Sequence, residues 1–354
     1  MHPPIRTGII GFGMAGKVFH APFISTLPGF ELSKVSTSRP AVAEEIRKLY
    51  PATTVVPDAE AIIVDEAIDL VIIGTPNTEH LPLAKAALLA GKHVIVEKPF
   101  TVTSAEADVL IALAQQQQLI LTVHHNRRWV ADYKTVRKVI ASGLLGRLAT
   151  YEARYDRFRP ALRPNAWREE NTPGAGILYD LGAHLIDQAL QLFGLPGSLT
   201  AEVRIQRPGG KVDDFFELRL HYPDLYVSLH AGMLVRKPGP FFNLHGDRGS
   251  FVKSGMDVQE EVLKAGGTPA NTPDWGAEPE HLQGQILTEH EGLVLNGTIQ
   301  SEKGSFQDFF INVQQAIRGE AALAVTPEQA RDTIRIIELA LQSSREKRTV
   351  EYSR

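Results

Sequence analysis

The feature that most constrains this chain is a glycine turn that begins at Gly11. Arg6-Thr7-Gly8-Ile9-Ile10 reads as a buried strand and runs directly into Gly11-Phe12-Gly13-Met14-Ala15-Gly16, with helix-forming sequence from Lys17 towards Ser25. A G-x-G-x-x-G run between a strand and a helix has a mechanical reading. Gly11 makes the turn, Gly13 lets backbone approach a pyrophosphate, and Gly16 lets the helix pack on the strand. The phosphates then meet the unsatisfied N–H groups of a helix N-terminus. Gly11, Phe12, Gly13, Met14, Ala15 and Gly16 are therefore expected to bind a dinucleotide.

The pattern that follows supports this. Strand-like runs at Glu31–Thr37, Thr53–Val56, Ile68–Gly74, His93–Glu97 and Leu119–Val123 alternate with helical runs at Ala41–Tyr50, Leu81–Ala90 and Ser104–Gln117. Alternation of this kind implies a parallel sheet covered on both faces. At 354 residues the chain is expected to form two domains, cut at 1–125 and 126–354. A net charge of −4 argues against a nucleic-acid partner. No apolar run approaches the roughly 18 residues of a membrane helix, and the start is expected to carry no signal peptide. With no cysteine, thiolate catalysis and Cys-based metal sites are excluded, and a cytoplasmic location is expected.

An NAD-preferring site places an acid roughly 20 residues beyond the last glycine, on the ribose 2′-hydroxyl. Here that segment is Ser36-Thr37-Ser38-Arg39-Pro40, which has no acid. Hydroxyls and a guanidinium suit a 2′-phosphate, so NADP is the expected cofactor and NAD the alternative. Thr75, Pro76 and Asn77 end another strand and should flank the cofactor. His80 reads better as a packing or hydrogen-bonding residue than as an acid or base. Val94-Ile95-Val96 stops at Glu97-Lys98-Pro99, so a cation sits at a strand's carboxyl end, where ligands of open α/β sheets lie. Ser38, Arg39, Thr75, Pro76, Asn77, His80, Glu97 and Lys98 complete the expected cofactor set.

Past Val123 the alternation stops. A helix at Val130–Ser142 precedes strand-like runs at Arg147–Phe158, Leu199–Gln206, Phe215–His221, Tyr226–Met233, Phe241–His245 and Ser250–Val252. Few helices separate them, which implies a largely antiparallel sheet. A long loop over Gly266–His281 and closing helices at Phe306–Arg318 and Pro327–Ser344 complete an α+β domain. Within it, Gly174-Ala175-Gly176 leads into a helix on which Leu178, Leu181, Leu185 and Leu192 form an apolar stripe. Asp180, His184, Asp187 and Gln191 form a second. Asp180 and His184 stand at i, i+4, where a carboxylate orients an imidazole and supports its protonated form. There is no H-E-x-x-H metal pattern and no G-x-S-x-G nucleophile, so no metal is expected.

The glycine turn, the Glu97-Lys98-Pro99 strand end and Asp180-x-x-x-His184 together resemble the glucose–fructose oxidoreductase/inositol dehydrogenase (Gfo/Idh/MocA) family over nearly the whole chain. The resemblance implies an N-terminal Rossmann domain and a C-terminal domain with an open sheet that often mediates dimers or tetramers. It implies Lys98 between cofactor and substrate, before a cis peptide at Pro99, His184 as the acid–base residue, and Asp180 positioning substrate. Asn126, Arg128, Tyr155 and Trp167 lie where family members line a sugar pocket. Ala175 and the Arg-rich segment 156–164 depart from the family pattern and admit an anionic substrate. The implied activity is reversible hydride transfer at a secondary alcohol of a sugar or inositol, by a homodimer or homotetramer. The competing readings are reduction of a non-polyol carbonyl, imine or unsaturated substrate, and a non-catalytic dinucleotide sensor.

Overall fold

The computed structural model describes residues 2–163 and 167–353. The chain divides into two compact units, one of residues 1–126, 259–275 and 305–331, the other of 127–258, 276–304 and 332–354. The first therefore ends one residue from the expected cut, but also takes two later segments that a single cut assigns to the second.

The first unit holds six parallel strands, β1 (Ile5–Ile10), β2 (Phe30–Ser36), β3 (Thr54–Val56), β4 (Leu70–Ile73), β5 (His93–Val96) and β6 (Leu121–Val123), in the order β3-β2-β1-β4-β5-β6. This is the doubly wound Rossmann order. All four residues of β4, and Val94, Ile95 and Val96 of β5, are fully buried, as expected of strands covered on both faces. The helix Ser104–Gln117 starts on a capping box. Thr103 Oγ1 accepts from Glu106 N at 3.2 Å, and Glu106 Oε2 accepts from Thr103 N at 3.1 Å. The strand order reverses between β1 and β4, so the turn at Gly11 and the loop at Thr75 leave the sheet at its switch point.

The second unit is built on nine strands: β7 (Leu148–Arg154), β8 (Ser198–Arg204), β9 (Phe215–His221), β10 (Tyr226–Gly232), β11 (Phe242–Gly246), β12 (Gly249–Lys253), β13 (Gly284–His290), β14 (Leu293–Ile299) and β15 (Val350–Glu351). Their order is β14-β13-β12-β11-β7-β10-β9-β8-β15, and among the described residues only β7 and β10 pair in parallel. The expected α/β plus α+β architecture is what forms.

Sequence patterning missed β13, β14, β15 and the short helices Glu60–Ile63 and Gln259–Lys264. The reason for β14 is plain: Leu293, Val294 and Leu295 all face water, at 66%, 71% and 46% exposure. Without a buried face there is no alternation to read. Two helix starts also differ from the α-type expected, because Ala15–His20 and Leu178–Gly182 are π-helical turns. Such turns are rare and concentrate at functional sites.

The second unit's interior contains a fully buried ion pair. Lys253 Nζ on β12 donates to Glu278 Oε2 at 2.7 Å and to the Leu282 carbonyl at 2.5 Å. Removing one partner strands a charge without water. We expect Glu278→Leu to lose about 3–5 kcal/mol, with most of it recovered in the Lys253→Met/Glu278→Leu double variant. Urea unfolding checks this, and a single variant within about 1 kcal/mol of the parent contradicts it.

Candidate active site

The glycine turn obeys steric rules that differ at its three positions. Gly11 has φ +91°, and a Cβ there would meet the Gly74 carbonyl oxygen at 2.9 Å. A Cβ on Gly16 would lie 2.4 Å from the Gly11 oxygen, so no side chain fits. Gly13 is different: a Cβ there meets nothing within 4 Å. Its missing side chain leaves open space instead of permitting a protein contact, which fits close approach by a phosphate group. Phe12 is buried and its ring meets Tyr50 edge-on at 6.4 Å, while Met14 is exposed. Arg39 immediately precedes the helix Pro40–Leu49 and its Nη2 donates to the Phe12 carbonyl at 3.2 Å. The guanidinium is thereby held beside the turn, next to exposed Ser38.

His80 is buried, with Nδ1 2.9 Å from the Pro99 oxygen and Nε2 3.1 Å from the Thr75 oxygen. Burial lowers its pKa against the pull of those carbonyls. The ring thus lies between the loop after β4 and the loop after β5, and as a neutral imidazole it donates its one N–H to one side. Pro76 opens the short 3-10 turn Asn77–Glu79, in which Asn77 is buried.

Glu97 was expected against the cofactor. The structure instead buries its carboxylate among protein donors: Oε1 accepts from His20 Nε2 at 2.7 Å and from His124 Nδ1 at 2.8 Å, and Oε2 from the Lys98 amide at 3.1 Å. Burial opposes the charge, yet the two imidazoles outweigh it and hold Glu97 well below the usual carboxylate range. An ionised carboxylate only accepts, so both rings must present N–H to it. That fixes an Nε2–H proton on His20 and an Nδ1–H proton on His124. Burial, then His124, lower the His20 pKa against Glu97. These three residues could also ligate a metal, since their donor atoms lie within 4.8 Å of one another. Separations of 2.7 and 2.8 Å, however, are hydrogen bonds, shorter than the roughly 3.4 Å between ligands of a tetrahedral ion. Phe309 and Phe310 enclose His124 at 4.9 and 5.5 Å between ring centroids. The product of this packing is Lys98, partly exposed, with its amide tied down and a cis peptide to Pro99.

The second unit presents Asp180 and His184 on the π-helical turn and the helix Ala183–Phe193 that continues it. Asp213 supports the start: its Oδ2 accepts from Leu178 N at 2.7 Å and its carbonyl from Ile177 N at 3.0 Å. Burial raises the Asp213 carboxyl to about 6 despite these amide donors. Gly176, at φ +92°, is glycine because a Cβ would fall 2.0 Å from Asp213 Oδ1. The glycine-rich approach thus serves a protein carboxylate. Asp180 is partly exposed and His184 is buried, its ring edge-on to Tyr155 with centroids 6.5 Å apart. Arg128, expected on substrate, closes a buried bidentate pair with Asp187, Nε to Oδ2 at 2.9 Å and Nη2 to Oδ1 at 2.6 Å. That pair and the Gln188 Nε2 bond to the Arg127 carbonyl at 2.8 Å anchor the helix. Asn126 is buried at the head of the turn Asn126–Trp129, and Trp167 opens the turn Trp167–Glu169. Pro164, the end of the Arg-rich segment, lies outside the described residues.

So the structure brings Gly11–Gly16, Arg39 and Thr75 together in the first unit, and Tyr155 and His184 in the second; Lys98 belongs to the first and Asp180 to the second. His20, His124 and Asp213 escaped the sequence reading. A Rossmann sheet whose glycine turn leaves space for a phosphate, in a chain that also holds an α+β unit, is the architecture of an NAD(P)-dependent oxidoreductase. Residues 5–125 match the description "Oxidoreductase family, NAD-binding Rossmann fold" and residues 137–352 "Oxidoreductase family, C-terminal alpha/beta domain". The chain belongs to the Gfo/Idh/MocA family of oxidoreductases. It is 41% identical over 346 residues to scyllo-inositol 2-dehydrogenase (NADP(+)) IolW of Bacillus subtilis (strain 168), covering 98% of this chain and 95% of that protein. It is 42% identical over 351 residues to the uncharacterized oxidoreductase YdgJ of Escherichia coli (strain K12), covering 99% of each. The solved structure of yvaA from Bacillus subtilis superposes with a TM-score of 0.94 at 41% identity, over 99% of this chain and 98% of that one.

The glycine geometry separates binding from folding. Gly13→Ala is expected to melt like the parent but lose affinity for the dinucleotide, while Gly16→Ala is expected to lose thermal stability outright. Thermal melts with and without NADPH measure both, and equal melting losses in the two variants would contradict the assignment.

Proposed function

We propose that this enzyme transfers hydride reversibly between NADP and a secondary alcohol of a sugar or inositol. The observation that carries the reading is Lys98, held by the Glu97 network at the carboxyl end of β5 in the dinucleotide-binding sheet, in a chain that also keeps Asp180 and His184 on one helix. The likeness to a protein named scyllo-inositol 2-dehydrogenase (NADP(+)) supports the substrate class and the cofactor.

Oxidation of a carbinol releases its hydroxyl proton as hydride leaves carbon. His184 is assigned to take that proton at a ring nitrogen and to return it in the reverse direction, a role that contributes ~10²–10⁴-fold. The Lys98 ammonium stabilises the developing alkoxide, and Asp180 orients the alcohol. Asn126, Tyr155 and Trp167 are assigned to the substrate side. The nicotinamide supplies or accepts the hydride, and the chain's residues provide orientation. Ser38 and Arg39 are assigned to the 2′-phosphate, in a segment, residues 36–40, that contains no acid. A homo-oligomer in the cytoplasm is part of the same reading. The oligomer is supported by the apolar, water-facing β14 at the sheet edge; among the described residues no helix is long and apolar enough to cross a membrane.

Lys98→Ala and His184→Ala should each lower kcat on an inositol and sugar panel by about 10²-fold or more while NADPH still binds. Near-parental rates in both would overturn these roles. Arg39→Ala should weaken NADPH binding by about tenfold and leave NADH within about twofold. Equal losses in fluorescence titrations would remove Arg39 from the phosphate site.

A further inference from the structure

Beyond β7 the chain stays paired alongside β10. Tyr155 N donates to the His230 carbonyl at 2.8 Å, Arg157 N to that of Gly232 at 2.9 Å, and Arg159 N to that of Met233 at 2.7 Å. Side chains alternate along such a ribbon, so Tyr155 and Arg157 share a face, the one whose Tyr155 ring meets His184. Four cations on this ribbon and its neighbours have protein counterparts. Arg154 faces Asp156 at 3.9 Å, Arg236 lies over the Phe158 ring at 4.4 Å, and Arg207 pairs with Asp214 at 2.8 Å. Arg163 pairs with Glu169 at 3.3 Å.

Arg157 differs. It is partly buried and, among the described residues, its guanidinium forms no hydrogen bond or ion pair. Burial depresses its pKa, Asp180 pulls it back, and the like charges of Arg159 and Arg127 push it down further. Arg127 itself lies 5.8 Å from the Tyr155 ring centre. A guanidinium remains charged under this stress, so a partly buried cation stands on the face whose Tyr155 ring meets His184.

We propose that the substrate is an anionic polyol, a sugar or cyclitol bearing a carboxylate or phosphate, and that Arg157 selects it by binding that group. The proposal rests on the reading of Asp180 and His184 as the substrate end of the site. Two parallel N–H donors of a guanidinium match two oxygens of either anion.

The test is steady-state kinetics of the full-length enzyme with NADP and D-glucose, D-glucuronate, D-glucose 6-phosphate, scyllo-inositol and inositol monophosphate, repeated for Arg157→Gln and Arg157→Lys. The expected result is that kcat/KM for at least one anionic member exceeds its neutral counterpart. Arg157→Gln should reduce that preference by at least about tenfold, mostly through KM, and Arg157→Lys should restore part of it. Melting curves and NADPH titrations identify a variant that has merely lost its fold. Turnover of the neutral polyols with no anionic preference, or an equal loss on both classes in Arg157→Gln, overturns the inference alone. Silence with all five while NADPH binds overturns the polyol reading and this inference with it. Glucuronate against the phosphates separates a carboxylate from a phosphate ligand.

Discussion

A carboxylate out of water is unfavourable unless its lone pairs are engaged, and the first unit is arranged around meeting that need at Glu97. Two imidazoles reach one oxygen and the next residue's own amide reaches the other. Because the acid immediately precedes Lys98, the backbone that carries the ammonium is fixed by the network that stabilises the charge. His20 comes from the π-helical turn that follows the glycine run, and His124 from the end of β6. The glycine turn and the lysine loop are therefore referenced to one buried group.

The second unit uses the same kind of support with other residues. Asp213 holds the amide end of the helix, Arg128 and Asp187 hold its middle, and Gln188 ties it to the chain at Arg127. His184 sits on this braced helix. Groups placed on rigid elements and supported by a surrounding shell keep their geometry better than groups on loops. Asp180 lies in the widened turn, where i→i+5 bonding offsets it from the spacing that an ordinary helix imposes.

Local signals made the first sheet readable. Gly11, Gly13 and Gly16 stand in a fixed frame, strands alternate with helices, and Thr103 with Glu106 marks a helix start. The second sheet was readable wherever one face was buried, and β14 escaped because neither face is. What no window could reveal were groups brought together from afar. Glu97 lies 77 residues from His20 and 27 from His124, and Asp213 lies 35 residues from the amide it caps. Glu97 was read as facing a cofactor because its position at a strand end allows it. Arg128 was read as a substrate residue on the family resemblance, while its partner Asp187 lay 59 residues on.

The interleaving of the units bears on how the protein is made. Phe309 and Phe310, which enclose His124, lie in a segment that reaches Arg331. A nascent chain leaving the ribosome can hydrogen-bond all six Rossmann strands long before those rings exist. Until they arrive, the histidine pair and its acid remain wet and the aromatic seam stays open. Domains usually fold as units during synthesis, amino-terminal part first. Here the amino-terminal part must wait for almost the entire polypeptide, and truncated translation products would expose apolar surface of the kind chaperones bind.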